Sequence, residues 1–291
     1  MQITTITQEK YPYLLRQIKQ LPKSMDMAGT LPGDDNKFLC VIGSRRHSAY
    51  GEEVCGKLIA GLKGYPIVIV SGLAIGIDSM AHQAALDNGL KTIAFPGSGL
   101  SRSVLYPPSR RYLAERIVAS GGVLLSPFSL RQEGADWTFP TRNRLMAGVS
   151  QAILLVEAGK GSGTLLTANN AIEFGRDVLV APGNIFSELS YGPHMLIRSG
   201  ATPITSSADI LEALGFKIAR ADGTQQVLPN FAEMQLTPEE KTVVDHIRRE
   251  RLSSSELIER TAMSPTKLNT VISELEIRGI IAVCDGLYRI A

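Results

Sequence analysis

Cysteine is scarce in this 291-residue chain, which has only Cys40, Cys55 and Cys284. Three scattered cysteines are too few for a disulfide framework or a zinc site. Cys40 sits inside an apolar run and reads as a small core residue, the usual place of a free cysteine. Aromatics are thin as well, at 6% with a single tryptophan. No apolar run approaches the ~20 residues needed to cross a bilayer, so no membrane contact is expected. The start, MQITTITQEKYPYLLRQ, lacks the basic-then-apolar order of a signal peptide, and a cytoplasmic protein is expected. Net charge is nearly absent, with 30 Lys+Arg against 28 Asp+Glu for a sum of +2. That balance excludes an all-over cationic coat. A hydrophobic share of 44% excludes a disordered chain.

The charge that is present is unevenly placed. Residues 38–145 carry twelve basic and seven acidic groups, net +5, while residues 1–37 carry net +1. Residues 146–236 carry net −3 and residues 237–291 net −1. An anionic ligand is therefore to be sought first in 38–145.

From Phe38 to about Leu214, apolar strand-like runs alternate with helix-length segments. The strand candidates are Phe38–Ile42, Ile67–Val70, Lys91–Phe95, Gly122–Leu125, Ala152–Val156 and Val178–Ala181. Continuously apolar strands separated by helices predict a parallel sheet covered on both faces. Residues 217–236 lose this periodicity and read as a linker. From Thr237 the pattern changes again. TPEEKTVVDHIRRE opens with a Thr N-cap and Pro at the first helical position, and SSSELIERTA reads as a second capped helix. A third helix and a hairpin around Asp285-Gly286 follow, the order of a winged helix. Its third helix holds Lys267 and Arg278 against Glu274 and Glu276. Charge therefore leaves both a DNA-binding and a protein-binding or regulatory use open.

Ligands of open α/β sheets bind beyond the carboxyl ends of the strands. Four strand candidates end there in Gly-rich turns: Gly43-Ser44-Arg45-Arg46, Ser71 through Asp78, Gly159 through Thr164, and Pro182-Gly183-Asn184. Glycine lets backbone approach an anion, and the helix that follows offers unpaired N–H groups at its positive end. One such turn is ordinary βα chemistry; several, with Arg and Lys among them, indicate a phosphate-binding rim. None matches G-x-x-x-x-G-K-[ST], which argues against a nucleotide triphosphatase. The first turn is not G-x-G-x-x-G and lacks a suitably placed acid for a ribose, which argues against a dinucleotide oxidoreductase. The stretch DWTFPTRNR at 136–144 sets Trp137 and Phe139 beside Arg142, Asn143 and Arg144. Aromatic faces for unpaired bases and arginines for phosphates are the two halves of single-strand binding. The alternative is that Phe139 is core and the arginines cap the next helix.

At these residues the sequence resembles the DprA/Smf family, the DNA-processing proteins of natural transformation. The motifs are VIGSRR at Val41–Arg46, SGLAIGIDSMAH at Ser71–His82, AFPGSGL at Ala94–Leu100 and YP at Tyr106–Pro107. They continue with FPTRNR at Phe139–Arg144, GSGTLLTA at Gly161–Ala168 and PGN at Pro182–Asn184. The resemblance implies an extended Rossmann-like, doubly wound, mostly parallel α/β sheet that binds single-stranded DNA and dimerises. It also implies protection of incoming strands and loading of the RecA recombinase onto them. Carried over, Gly43, Ser44, Arg45 and Arg46 would lie on a pocket rim, and Ser71 and Gly72 would give backbone donors. Phe139 would meet a base, with Arg142, Asn143 and Arg144 near phosphates. Gly161, Ser162, Gly163 and Thr164 would cradle another phosphate, with Lys160 adjacent. The expected domains are a short extension at 1–37, the Rossmann-like domain at 38–216, a linker at 217–236 and a winged-helix-like domain at 237–291. Some members begin with a longer helical module, whose functions do not transfer to the 37 residues found here.

A competing reading is a phosphoribohydrolase of related Rossmann form, acting on nucleoside monophosphates through a glutamate near the PGGxGT turn. Here Glu173 stands nine residues after Thr164, far along the helix from a sugar at its start. Asp78 is expected to cap the helix it begins. His47 and His82 lie near the turns without an evident partner, and no metal pattern is present. No cofactor is expected, and the chain reads as a binding protein rather than an enzyme.

Overall fold

The computed structural model describes residues 1–217, 236–278, 280–284 and 286–290. The chain divides into two compact units, Met1–Ile218 and Ala219–Ala291. All but the ends of the expected linker, and Asp285 of the expected turn, lie outside the described residues.

In the first unit β1 (Ile3–Thr7), a helical turn α1 (Tyr13–Arg16) and β2 (Ser24–Gly29) come first. They are followed by β3 (Lys37–Ile42), α2 (Ala49–Ala60), β4 (Ile67–Ser71), α3 (Ile77–Asp87), β5 (Lys91–Ala94), α4 (Arg111–Ala119) and β6 (Val123–Ser126). The chain continues through α5 (Thr138–Val149), β7 (Ala152–Leu155), α6 (Thr164–Glu173), β8 (Asp177–Val180), α7 (Tyr191–Arg198), β9 (Thr202–Pro203) and α8 (Ser207–Ala213). The nine strands form one sheet in the order β1-β2-β6-β5-β4-β3-β7-β8-β9. The pairs from β6 to β9 are parallel, and β1–β2 and β2–β6 are antiparallel. This is an extended, doubly wound Rossmann-like sheet.

Residues alternate along β3 between two buried layers, as a strand covered on both faces requires. Phe38, Cys40 and Ile42 join one core with α1, α5 and α6, and Leu39 and Val41 join another with α2 and α3. Cys40 is fully buried, as expected. The chain winds outward from β3 through β4 to β6, then returns to add β7 on the other side of β3. That reversal leaves a crevice past the carboxyl ends of β3 and β7, where open sheets bind ligands.

Two segments differ from the reading of sequence. Residues 1–37, expected as a short extension outside the main domain, supply a helical turn and two strands that join its sheet. Their strands are short and half-exposed, so no apolar run marks them. The FPTRNR stretch lies on a helix; Pro140 falls in its first turn, where a missing N–H breaks no helical bond. Arg176 fastens the N-terminal turn to α5 by donating to the carbonyls of Leu14 (3.0 Å) and Gly148 (3.3 Å).

In the second unit, α9 (Pro238–Arg249), α10 (Ser254–Thr261) and α11 (Pro265–Ile277) precede a hairpin of β10 (Ile281–Cys284) and β11 (Leu287–Ile290). Thr237 with Glu240 and Ser253 with Glu256 close reciprocal capping boxes, and Ser264 caps α11 ahead of Pro265. Val243, Ile247, Leu257, Leu268, Ile272 and Leu275 form the core of this winged helix. Two acids of α9 hold cations of the third helix and its cap: Glu239 pairs with Lys267 at 2.8 Å and Glu240 with Arg278, the C-cap of α11, at 2.7 Å. Among the described residues no helix is long and apolar enough to cross a membrane.

If residues 1–37 belong to the main core, Leu15→Ala removes a fully buried side chain and costs about 2–5 kcal/mol. Urea denaturation reads this directly; a dispensable extension predicts no change.

Candidate nucleic-acid interface

The crevice is built from two glycine loops and one helix. After β3, a Cβ on Gly43 would come within 2.6 Å of Ile77, so only glycine lets this loop close on α3. The Ser44 hydroxyl accepts from the Arg46 N–H (3.0 Å) and donates to the Arg46 carbonyl (2.7 Å). This tight turn leaves Arg45 and Arg46 exposed.

After β7, Gly161 adopts a left-handed φ of 75°, and a Cβ on Gly161 or Gly163 would meet nothing within 4 Å. Here glycine serves conformation and open space rather than packing. The N–H groups of Gly161 and Gly163 have no protein acceptor among the described residues. They are available to an anion at the positive end of α6. The Thr164 hydroxyl accepts from Ser162 (3.0 Å) and donates to the Gly43 carbonyl (3.2 Å), tying this loop to the first. Lys160 is exposed beside it.

From α5, the helical spacing puts Phe139, Arg142 and Asn143 on one face. The Phe139 ring lies against Gly97, where a Cβ would come within 2.5 Å of it. It also contacts Tyr106 at 5.7 Å between centroids. The Arg45 guanidinium stands 5.3 Å from the Phe139 ring centroid, an attractive cation–π arrangement.

Arg142 is 5% exposed. Its Nη1 donates to the Phe95 carbonyl (3.0 Å) and lies 3.8 Å from the Asp78 carboxylate. Asp78 in turn accepts from the Gly72 N–H at 3.2 Å. Burial pushes the Asp78 carboxyl up and the Arg142 guanidinium down, and each charge draws the other back. Asp78 is therefore not the cap of α3, a position held by Gly76; its carboxylate turns inward as the counter-charge of Arg142. His82 lies fully buried behind them. Its Nδ1 is 2.7 Å from the Thr92 hydroxyl, which donates to the Ile69 carbonyl, so His82 is the donor of its pair. Burial, with Arg142's charge second, pushes His82 down to about 3.

Together these groups line a cleft of about 710 Å3. It gathers Gly43, Ser44, Arg45, Arg46, Phe139, Arg142, Asn143, Lys160, Gly161, Ser162, Gly163 and Thr164. Arg45, Arg46 and Lys160 have no carboxylate partner among the described residues. Asp78, singled out in sequence as a helix cap, also lines it, as do Met146 and Thr167, which carry no sequence signal beyond their place on α5 and α6.

Three expected site residues are not in the cleft, and one changes role. Ser71 is fully buried with its hydroxyl donating to the Val41 carbonyl at 2.7 Å. Gly72 gives its N–H to Asp78, and a Cβ there would overlap Arg142. The Gly72 N–H is therefore not free, and Ser71 lies buried as the last residue of β4. Arg144 points to the other side of α5, where it stands 4.6 Å from the Phe174 ring centroid and 3.4 Å from Glu173. A 12-residue helix cannot present positions 142 and 144 to one surface. Arg142 lines the cleft, but as a buried, paired floor rather than an exposed phosphate clamp. Glu173, the acid of the phosphoribohydrolase reading, is exposed at the last position of α6. It stands roughly 14 Å along the axis from the helix start and does not line the cleft.

The family model described as DNA recombination-mediator protein A matches residues 2–215, and that of the DprA winged helix domain matches residues 228–286. The chain belongs to the DprA/Smf family. It is 35% identical to protein Smf of Escherichia coli over 288 residues, covering 96% of this chain and 75% of that protein. It is 41% identical over 214 residues to the DNA processing protein DprA of Streptococcus pneumoniae, covering 73% of this chain and 74% of the other. The X-ray structure of DprA from that organism superposes with a TM-score of 0.68 at 37% identity, over 75% of this chain and 76% of that one. DNA processing protein A from Helicobacter pylori, whose structure concerns its single-stranded DNA binding mode, superposes at 0.65 and 25% identity. That match spans 74% of this chain and 96% of the other.

Asp78→Asn leaves the Arg142 charge buried without its counter-charge and is expected to cost about 3–5 kcal/mol in chemical denaturation. Because His82 is held neutral with a lowered value, its stabilisation is complete above the unfolded value, near 6.5, and is lost as pH falls towards about 3. Each pH unit in that window costs up to ~1.4 kcal/mol. His82→Gln flattens that part of the pH–stability curve; an unchanged slope contradicts the assignment.

Proposed function

We propose that this member of the DprA/Smf family binds single-stranded DNA in the cleft between the β3 and β7 loops. The observation that carries the reading is the cleft's composition. Three unpaired cations and the free N–H groups of Gly161 and Gly163 surround an aromatic ring. Anions are met by the first two sets and a base by the third. The aromatic ring at the cleft favours an unpaired strand, whose bases are open to stacking, over a duplex. The likeness to Helicobacter pylori DNA processing protein A, whose structure concerns its single-stranded DNA binding mode, supports the same ligand.

The further roles follow from the family resemblance: the chain protects incoming strands in the cytoplasm and helps load RecA onto them, as a binding protein rather than an enzyme. It acts as a homodimer. Exposed Ile185 (77%), Phe186 (88%), Tyr191 and Met195 support an apolar contact surface for a protein. The winged helix serves protein contact rather than DNA, because residues 237–291 carry a net charge of −1 and its third-helix cations, Lys267 and Arg278, stand among Glu274 and Glu276.

Affinity for an oligonucleotide is expected to fall steeply with salt, as counterion release requires. Arg45→Ala and Lys160→Ala each lose about tenfold, near the ~1.5 kcal/mol of a charge-assisted bond, and each lowers the salt slope by about one. Full affinity in a folded double variant, read by fluorescence anisotropy, sinks the cleft assignment. A protein ending at residue 217 is expected to keep the single-strand affinity and salt slope of the full chain. A marked loss on that truncation returns the winged helix to DNA binding.

A further inference from the structure

The DWTFPTRNR stretch divides over two sides of α5. Phe139, Arg142 and Asn143 face the cleft, whereas Trp137, Thr141 and Arg144 line a second groove of about 360 Å3 with Gln20 and Gln132 from neighbouring loops. Nothing in the proposed function uses this groove. Trp137 is the chain's only tryptophan and is 57% exposed. Its ring meets Phe128 at 5.4 Å and 86°, an edge-to-face contact that fixes the indole while much of its surface stays open.

We infer that this groove is a second stacking subsite for single-stranded nucleic acid, taking a base of the strand held by the cleft. The inference rests on the cleft reading above. Continuity favours that occupant, because Trp137 and Phe139 stand two residues apart at the start of one helix. The groove also opens beside the carboxyl end of β6, on the cleft's side of the sheet. Its chemistry fits as well. An indole offers a sequence-tolerant stacking face, and Gln20, Gln132 and Thr141 offer donors and acceptors to base edges. The charge fits too: Arg144 is the one charged residue lining the groove. Its partner Glu173 is 60% exposed and 3.4 Å away. Arg144 itself is only 23% exposed and also donates to the Lys19 carbonyl at 3.4 Å, so its guanidinium is already positioned, and only the exposed carboxylate gives way to a phosphate. The Phe174 ring, 4.6 Å away, holds the guanidinium in place during the exchange.

The single tryptophan makes the test direct. Oligothymidylates of increasing length are titrated into the full chain, with indole emission and anisotropy of a labelled strand followed together. Short strands that fill only the cleft bind without changing the emission, and longer strands quench it. Trp137→Leu weakens long strands about tenfold, the equivalent of ~1.4 kcal/mol, and leaves short ones unchanged, while Trp137→Phe restores the long-strand affinity. Arg144→Ala lowers the salt slope for long strands alone. The proposal is overturned if the longest strand saturates with emission unchanged, or if Trp137→Leu weakens all lengths alike. An emission change that follows protein concentration instead of DNA also overturns it, giving the groove to a second copy. Failure of every strand to bind by anisotropy removes the cleft reading itself, which keeps the two failures distinct.

Discussion

The cleft depends on the buried ion pair of Asp78 and Arg142. Each partner comes from a different layer. Asp78 rides on α3 and Arg142 on α5, and the two helices pack on opposite faces of the sheet. They meet past its edge, where Gly72 gives Asp78 an N–H and Phe95 gives Arg142 a carbonyl. Burying two charges is costly and is offset only when geometry and hydrogen bonds are both satisfied. Removing either partner therefore disturbs the ends of β4 and β5 together with both helices. Because Phe139 lies one turn from Arg142 on the same helix, the pair also sets where that ring faces the cleft.

Over this fixed floor, charge is arranged to be free. Arg45, Arg46 and Lys160 stand on loops with no carboxylate partner among the described residues. Arg142, buried deeper, is neutralised by Asp78. The division separates a buried structural cation from solvent-facing ones within a single cleft. It also explains why a chain with net charge +2 suits an anionic ligand: the excess is local, and the acids offset it elsewhere. The winged helix follows the opposite rule, with its third-helix cations already paired.

Much of this was legible in the sequence. Continuously apolar runs such as FLCVI and AILLV marked the parallel core, and the glycine turns at their ends marked the crevice. Capping signals at Thr237 and Ser253 located the helices of the second unit. Other features were hidden for physical reasons. β1 and β2 are short and half-exposed, so no periodicity announces them, and they matter only through pairing with β6. Ser71 and Gly72 sit in a motif beside the cleft, yet motif spacing does not tell a donor facing a ligand from one facing Asp78. Arg144 was misplaced because the stretch carrying it is a helix, and a helix sends positions 142 and 144 to different sides. Trp137, read beside Phe139 as a pair, parts from it for the same reason.

The central claim is that an unpaired base meets Phe139 between the β3 and β7 loops. Photo-cross-linking tests it most directly. A single-stranded oligonucleotide carrying one iododeoxyuridine is irradiated on the full chain, and the attached peptides are mapped by mass spectrometry. The account predicts attachment at Phe139 when the label occupies the cleft, and loss of that adduct with excess unlabelled single strand but not with duplex. Attachment confined to the winged helix, or equal competition by duplex, would contradict it.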